Sequence, residues 1–178
     1  ARERLIARSK TQTRKKENTV QYTVGISEMR IADQPDDVLV TYSLGSCVGL
    51  TLYDPVLRLG GMIHCMLPLS KIDPVKAAQV PEMFTDIGVP RLIQSMIDHG
   101  GQMRRMVAKV AGAAKLLDEQ GTFNIGERNF TVLRKVLWKN NILIAAEDTG
   151  GTIARTLYLY LDTGRTVIRS GGKEWELA

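Results

Sequence analysis

An α+β fold, with mixed or antiparallel β-sheets stacked together and flanked by helices, is what this sequence predicts. Three observations point there. Segments with strand character come in blocks and do not alternate regularly with helices, which argues against a doubly wound parallel sheet. Only two stretches carry a sustained helical period, one after Pro90 and one after Asn124. The chain has 178 residues, 44% of them apolar, enough to bury a substantial core without disulfide staples.

The domain is expected to span residues 19–178, beginning where Val20, Tyr22, Val24 and Ile26 alternate with less apolar neighbours. Val38 to Ser43 reads as the next strand. Leu44-Gly45-Ser46-Cys47 interrupts it, and Val48 to Tyr53 resumes the pattern. Asp54-Pro55 opens a turn, and Gly60-Gly61 leads into Met62 to Leu67, closed by Pro68, so a hairpin is expected with Cys47 in one arm and His64 in the other. Pro90 suits the first position of a helix with Leu92, Ile93, Met96 and Ile97 on its apolar face, stopped by Gly100-Gly101. A strand from Met106 to Val110 follows. The second helix starts at Asn124, with Glu127 as a capping-box partner and Phe130, Leu133 and Leu137 on one side. Strands are expected at 142–146, 154–161 and 166–168, with turns at 148–151 and 163–164. The helices are expected to cover the outer sheet faces.

Charge narrows the function. The net charge is +5, and all of it lies in residues 1–17, which hold seven basic and two acidic side chains. Residues 1–18 are therefore expected to form a basic, flexible N-terminal tail. The remainder is neutral and lacks the basic face that a nucleic-acid partner requires. No apolar run is long enough to cross a bilayer, and the N-terminus carries charges where a signal peptide would be apolar, so the protein is expected to be cytoplasmic and not membrane-embedded.

The two cysteines, Cys47 and Cys65, lack the spacing of a zinc site, and no metal or other cofactor is expected. A thiol becomes a strong nucleophile when a base raises its thiolate fraction, and the chain offers only two histidines. A hairpin turning between Pro55 and Val56 would set His64 directly across from Cys47, with β-carbons roughly 4.5–5.5 Å apart. Cys65 follows His64 in the same strand and so faces the other way, as a small buried filler. Opposite faces also argue against redox chemistry between the two cysteines. The turn Gly45-Ser46-Cys47 could present backbone N–H groups to an oxyanion. From composition and spacing alone, an ordinary tight turn beside a buried, inert cysteine accounts for the same residues and is the commoner circumstance.

What separates these readings is a wider pattern. The run from Thr41 through Leu44-Gly45-Ser46-Cys47-Val48-Gly49 to Asp54-Pro55, followed by Gly61-Met62-Ile63-His64-Cys65-Met66-Leu67-Pro68, closely resembles the signature of the CheD family of bacterial chemotaxis. Asp86, Val89-Pro90 and Leu92-Ile93 match in order, as do Ala108 to Ala114, Ile125 to Asn129, Asp148 to Gly151 with Arg155, and Thr163-Gly164. The resemblance covers about residues 20–170. Met83-Phe84 depart from it, standing where the family often has a basic residue and a tyrosine, as does Ala111, where an aromatic is usual.

The resemblance implies a chemoreceptor glutamine deamidase, a cysteine hydrolase whose fold packs helices against stacked sheets. It implies Cys47 as nucleophile, His64 as general base and Thr41 as the residue that orients the histidine; the turn residues Gly45 and Ser46 are then expected to support the oxyanion site. The implied substrate is a set of glutamines on the cytoplasmic helices of a methyl-accepting chemoreceptor. A CheC-type phosphatase is an implied partner, and a chain that only binds and stimulates such a phosphatase is the alternative reading.

Overall fold

The computed structural model describes residues 19–116 and 124–178. The basic segment 1–18 lies outside the described residues. Ten strands among those described form two five-stranded sheets. In the first, β1 (Gln21–Thr23), β3 (Val38–Leu44), β8 (Arg155–Tyr160), β9 (Thr166–Ser170) and β10 (Lys173–Glu176) lie side by side in that order. In the second the order is β2 (Met29–Ala32), β5 (Leu59–Cys65), β4 (Val48–Asp54), β6 (Val107–Gly112) and β7 (Ile144–Thr149). The β1–β3 and β6–β7 pairs are parallel and the others antiparallel, so both sheets are mixed, as expected.

The two sheets stack face to face, because successive side chains of a strand point to opposite faces. Leu39, Leu44, Leu157, Leu159 and Ile168 of the first sheet meet Tyr53, Met62 and Ala111 of the second in one buried layer. The other face of the second sheet carries Val48, Leu50, Leu52, Ile63 and Cys65, and packs against α2 (Thr85–Asp98) and α3 (Ile125–Lys139) through Leu92, Met96, Leu133 and Leu137. Each fully buried Leu or Ile in these layers contributes roughly 1.5–3 kcal/mol relative to exposure. A short helix, α1 (Pro74–Gln79), lies between β5 and α2 in the chain.

The described helices cover one outer face only, contrary to expectation. On the other, Val38, Val40 and Val167 are buried under Tyr158 and Tyr160. The guanidinium groups of Arg169 and Arg165 stand over those rings at 4.5 and 4.8 Å. Flat rings and long arginine stems cover the valines there in place of a helix.

Four local expectations need correction. First, α2 begins at Thr85, five residues before Pro90, which lies inside it. Contacts outside the helix hold its first turn: the Thr85 N–H donates to Leu67 O at 2.8 Å, and the Asp86 carboxylate accepts from the Ser70 N–H and hydroxyl, each at 2.8 Å. Second, Asn124 does cap α3, but in the left-handed conformation (φ 42°) and with no side-chain bond, so the capping box is not made. Third, the single strand expected from Val20 to Ile26 is short, and the chain turns at Ser27 (φ 63°) into β2, which enters the other sheet.

The fourth correction bears on function. Val48 pairs with Cys65 and Gly49 with His64, so the hairpin register differs by two residues from the one expected. The loop holds four residues, 55–58, between the paired Asp54 and Leu59. Asp54 Oδ1 accepts the Val56 N–H at 3.0 Å, and Arg58 takes a left-handed conformation (φ 51°), which together move the turn centre one position along. A two-residue slip, unlike a one-residue slip, leaves every side chain on its expected face.

Candidate active site

The site forms where the chain crosses from one sheet to the other. Strand β3 belongs to the first sheet and β4 to the second, and Gly45-Ser46-Cys47 is the crossing between them. Just before it, β3 bulges between Thr41 and Leu44, with Ser43 left-handed (φ 56°), while Tyr42 and Ser43 turn outward. Thr41 thus closes the regular part of β3 facing the inter-sheet layer, and Cys47 enters that layer from the crossing, half-buried against it.

His64 approaches from the other sheet. It faces inward on β5 and is fully buried, opposite Gly49, where Leu44 and Leu157 fill the space that a side chain would take. A Cβ at Gly49 would lie 2.8 Å from Leu44 and 3.2 Å from Leu157. Cys47 lies two residues before Gly49, just outside the paired ladder, and packs against the inter-sheet layer that His64 faces.

Thr41 Oγ1 lies 2.7 Å from His64 Nδ1 and donates its one proton to Val24 O, also at 2.7 Å. The threonine oxygen therefore accepts from Nδ1–H, which assigns the tautomer and leaves Nε2 with a free lone pair. Nε2 is buried and has no hydrogen-bond partner among the described residues, the Cys47 sulfur included. Burial pushes the His64 pKa down to about 4. Burial also pushes the Cys47 thiol up, partly offset by its own backbone N–H. Near neutral pH the thiol and the imidazole are both neutral, so a reaction with this sulfur as nucleophile would require the loss of its proton.

The crossing loop is held at all three of its carbonyls. Gly45 O accepts the Ala114 N–H at 2.8 Å, Cys47 O accepts the Ala113 N–H at 2.7 Å, and Ser46 O accepts from Asn129 Nδ2 at 3.0 Å. Ala113 and Ala114 follow β6 directly, beyond Gly112, where only glycine fits: its φ is 104° and a Cβ would lie 2.4 Å from Cys47 O. Cys65 is fully buried on the helix side, its thiol pushed up by burial, and stays apart from the inter-sheet layer as its place in the strand predicts. Among the described residues no group of three or more His, Cys, Asp or Glu side chains is placed to hold a metal ion. A cavity of about 650 Å³ opens between α3 and β7, lined by Arg134, Trp138 and Leu143, and includes none of Thr41, Cys47 or His64.

Residues 66–170 match the family described as "CheD chemotactic sensory transduction". A protein of Solibacter usitatus is 46% identical over 157 residues, 88% of this chain and 93% of that protein. The chain belongs to the CheD family. Relatives in Syntrophus aciditrophicus and Symbiobacterium thermophilum are 44% and 43% identical, each over 84% of this chain and 93% and 92% of their own lengths. All three bear the name "Probable chemoreceptor glutamine deamidase CheD", the second numbered 1. A crystal structure of the Bacillus licheniformis hypothetical protein YfiH superposes on 70% of this chain and 49% of its own, with a TM-score of 0.43 and 16% identity, too distant a likeness to argue from.

Three of the segments that carry the CheD pattern, Ala108 to Ala114, Ile125 to Asn129 and Asp148 to Gly151 with Arg155, meet at or behind the crossing loop. Buried Arg155 donates to Asp148 Oδ1 at 2.9 Å, to Gly150 O at 2.9 Å and to Gly112 O at 3.3 Å, and Trp175 Nε1 donates to Asp148 Oδ2 at 2.7 Å. This cluster braces Gly112 behind Cys47. Residue reasoning gave Asn129 no role, yet one signal was available. It falls three residues after Gly126 and four before Leu133, on the buried stripe of α3, where an unpartnered polar side chain would be costly.

Proposed function

We propose that this protein is a chemoreceptor glutamine deamidase that hydrolyses receptor glutamine side chains to glutamate, with Cys47 as nucleophile, His64 as general base and Thr41 as the residue that orients the histidine. The observation that carries this reading is the Thr41–His64 bond, which leaves a buried, unprotonated Nε2 on the face shared with the half-buried Cys47. The names of the CheD relatives supply the substrate.

Nε2 takes the thiol proton as Sγ attacks the δ-carboxamide carbon, and the carbonyl oxygen becomes an oxyanion facing backbone N–H groups of the Gly45–Cys47 loop. Collapse breaks the C–N bond, and Nε2–H gives its proton to the departing ammonia. Water, deprotonated by the same nitrogen, then attacks the γ-glutamyl thioester and frees the thiol. Glutamine and water become glutamate and ammonia, and the receptor gains one negative charge where it had a neutral amide. The reaction takes place in the cytoplasm, on the cytoplasmic helices of the receptor. None of the helices described in the protein itself is long and apolar enough to cross a membrane.

Intact-mass measurement of a receptor cytoplasmic fragment tests this. Each converted glutamine adds about 1 Da in ordinary water and about 3 Da in ¹⁸O-labelled water, because hydrolysis takes its oxygen from solvent. A fragment left unchanged by the wild-type protein would favour the other role, a binding partner that stimulates a CheC-type phosphatase.

A further inference from the structure

We propose that Asn129 is a positioning residue for this reaction: it sets the plane of the Ser46–Cys47 peptide so that the Cys47 N–H faces the oxygen of the carbonyl under attack. The inference rests on the reading of Cys47 as nucleophile and extends it to a residue of α3 outside the triad.

Asn129 is fully buried, and its hydrogen bonds admit one orientation. Nδ2 donates to Ser46 O at 3.0 Å and to Met66 O at 3.1 Å, two carbonyls that can only accept. Oδ1 lies 3.2 Å from the Thr85 hydroxyl, which shares its proton between this oxygen and Leu67 O at 3.1 Å. The side chain thus joins the crossing loop, the end of β5 and the start of α2 at one point.

The consequence for Cys47 follows from peptide geometry. In a trans peptide the C=O of one residue and the N–H of the next point in opposite directions. Anchoring Ser46 O on Asn129 turns the Cys47 N–H away from α3, toward the side of its own sulfur. The neighbouring carbonyls, Gly45 O and Cys47 O, are held by backbone donors of Ala114 and Ala113, which are there whatever the side chains. Ser46 O is the loop carbonyl that a side chain holds, so the direction of the Cys47 N–H depends on the identity of residue 129. An aspartate there would keep the shape and replace the two N–H donors of Nδ2 by one oxygen facing two carbonyls.

Two reactions at the same sulfur separate this role from simple bracing. Alkylation by iodoacetamide forms a C–S bond with loss of iodide and passes through no oxyanion. Acylation by p-nitrophenyl acetate forms a tetrahedral oxyanion, then breaks the C–O bond and releases p-nitrophenolate. Asn129→Asp and the smaller Asn129→Ser are each compared with wild type, with melting curves to establish that the variants are folded and peptide mapping to assign the reaction to Cys47. The expected result is acylation slowed about 10²-fold, the scale of losing one oxyanion donor, with alkylation within about threefold of wild type. Acylation and alkylation slowing together, or neither slowing, would overturn the proposal. Receptor glutamine conversion by wild type is read in parallel. Its absence alongside the split between the two reactions would sink the deamidase reading and leave the role of Asn129 standing, and its presence without the split would do the reverse.

Discussion

Thr41 and His64 stand on strands of different sheets, and the 2.7 Å contact between Thr41 Oγ1 and His64 Nδ1 joins the two sheets at the site. The threonine proton is already committed to Val24 O, so the contact has one direction, from imidazole to hydroxyl. A contact between packed layers is sensitive to how they sit on each other, and this one therefore forms only when both sheets are in place.

Replacing Thr41 with valine keeps the shape and removes the acceptor. His64 Nδ1–H and Val24 O are then both buried without partners, at a stability cost of about 1–3 kcal/mol. The imidazole is free to rotate or change tautomer, so kcat for glutamine conversion is expected to fall by roughly ten- to a hundredfold. Thr41→Ser, which keeps the hydroxyl, is expected to recover most of both. Urea unfolding and steady-state rates of the two variants check this.

Acid should weaken the fold through His64. An unfolded histidine binds its proton near pH 6.5 and the folded His64 only near 4. Between those values the unfolded chain holds more protons, so stability falls as pH falls, by roughly 3 kcal/mol across the window, and is unaffected by this group at higher pH. Urea titrations at pH 7.5 and 4.5 are expected to show a smaller difference for His64→Gln than for wild type. An equal difference in both proteins would count against the buried neutral imidazole.

The two cysteines should behave differently. Cys47 is half-buried and Cys65 fully buried on the helix side, both thiols raised by burial. Iodoacetamide at pH 7.5 is expected to modify Cys47 first, more slowly than an exposed thiol, and to leave Cys65 intact until the protein unfolds. Cys65→Ala should cost about 1–2 kcal/mol of stability as a small cavity, with the rate constant per folded molecule unchanged. Peptide mapping after timed alkylation gives the order of reaction.

Two glycines offer a matched comparison. Gly112→Ala meets Cys47 O at 2.4 Å and must displace the crossing loop, so activity is expected to be lost together with several kcal/mol of stability. Gly150 is also left-handed (φ 78°), but a Cβ there meets nothing within 4 Å. Gly150→Ala is expected to cost about 1–2 kcal/mol and leave most of the activity. Similar activity losses in both would mean that contact with the Cys47 carbonyl is not what requires Gly112.

Much of this architecture was legible in the residues. Alternation located β3, β4 and β5, and the parity of His64 and Cys65 placed them on opposite faces. Short edge strands were not legible: Met29–Ala32 and the charged Lys173–Glu176 owe their conformation to the strand beside them, which local pattern does not encode. The hairpin register was missed because the turn depends on an Asp54 side-chain bond and a left-handed Arg58, both set by the tertiary surroundings. Pro90 marked a helix start by propensity, while the Thr85 and Asp86 contacts started α2 earlier. Cys47 and His64 were singled out by chemistry and by resemblance to CheD proteins, but that Thr41 reaches His64 from the other sheet is a property of the fold.

The most direct test of the central claim is the rate of glutamine-to-glutamate conversion on a receptor cytoplasmic fragment, followed residue by residue by peptide mass spectrometry with wild type and Cys47→Ala. The account predicts conversion at specific glutamines with wild type and none above the spontaneous rate with Cys47→Ala. Conversion by Cys47→Ala at the wild-type rate would contradict it, because the account has the Cys47 sulfur as the attacking atom.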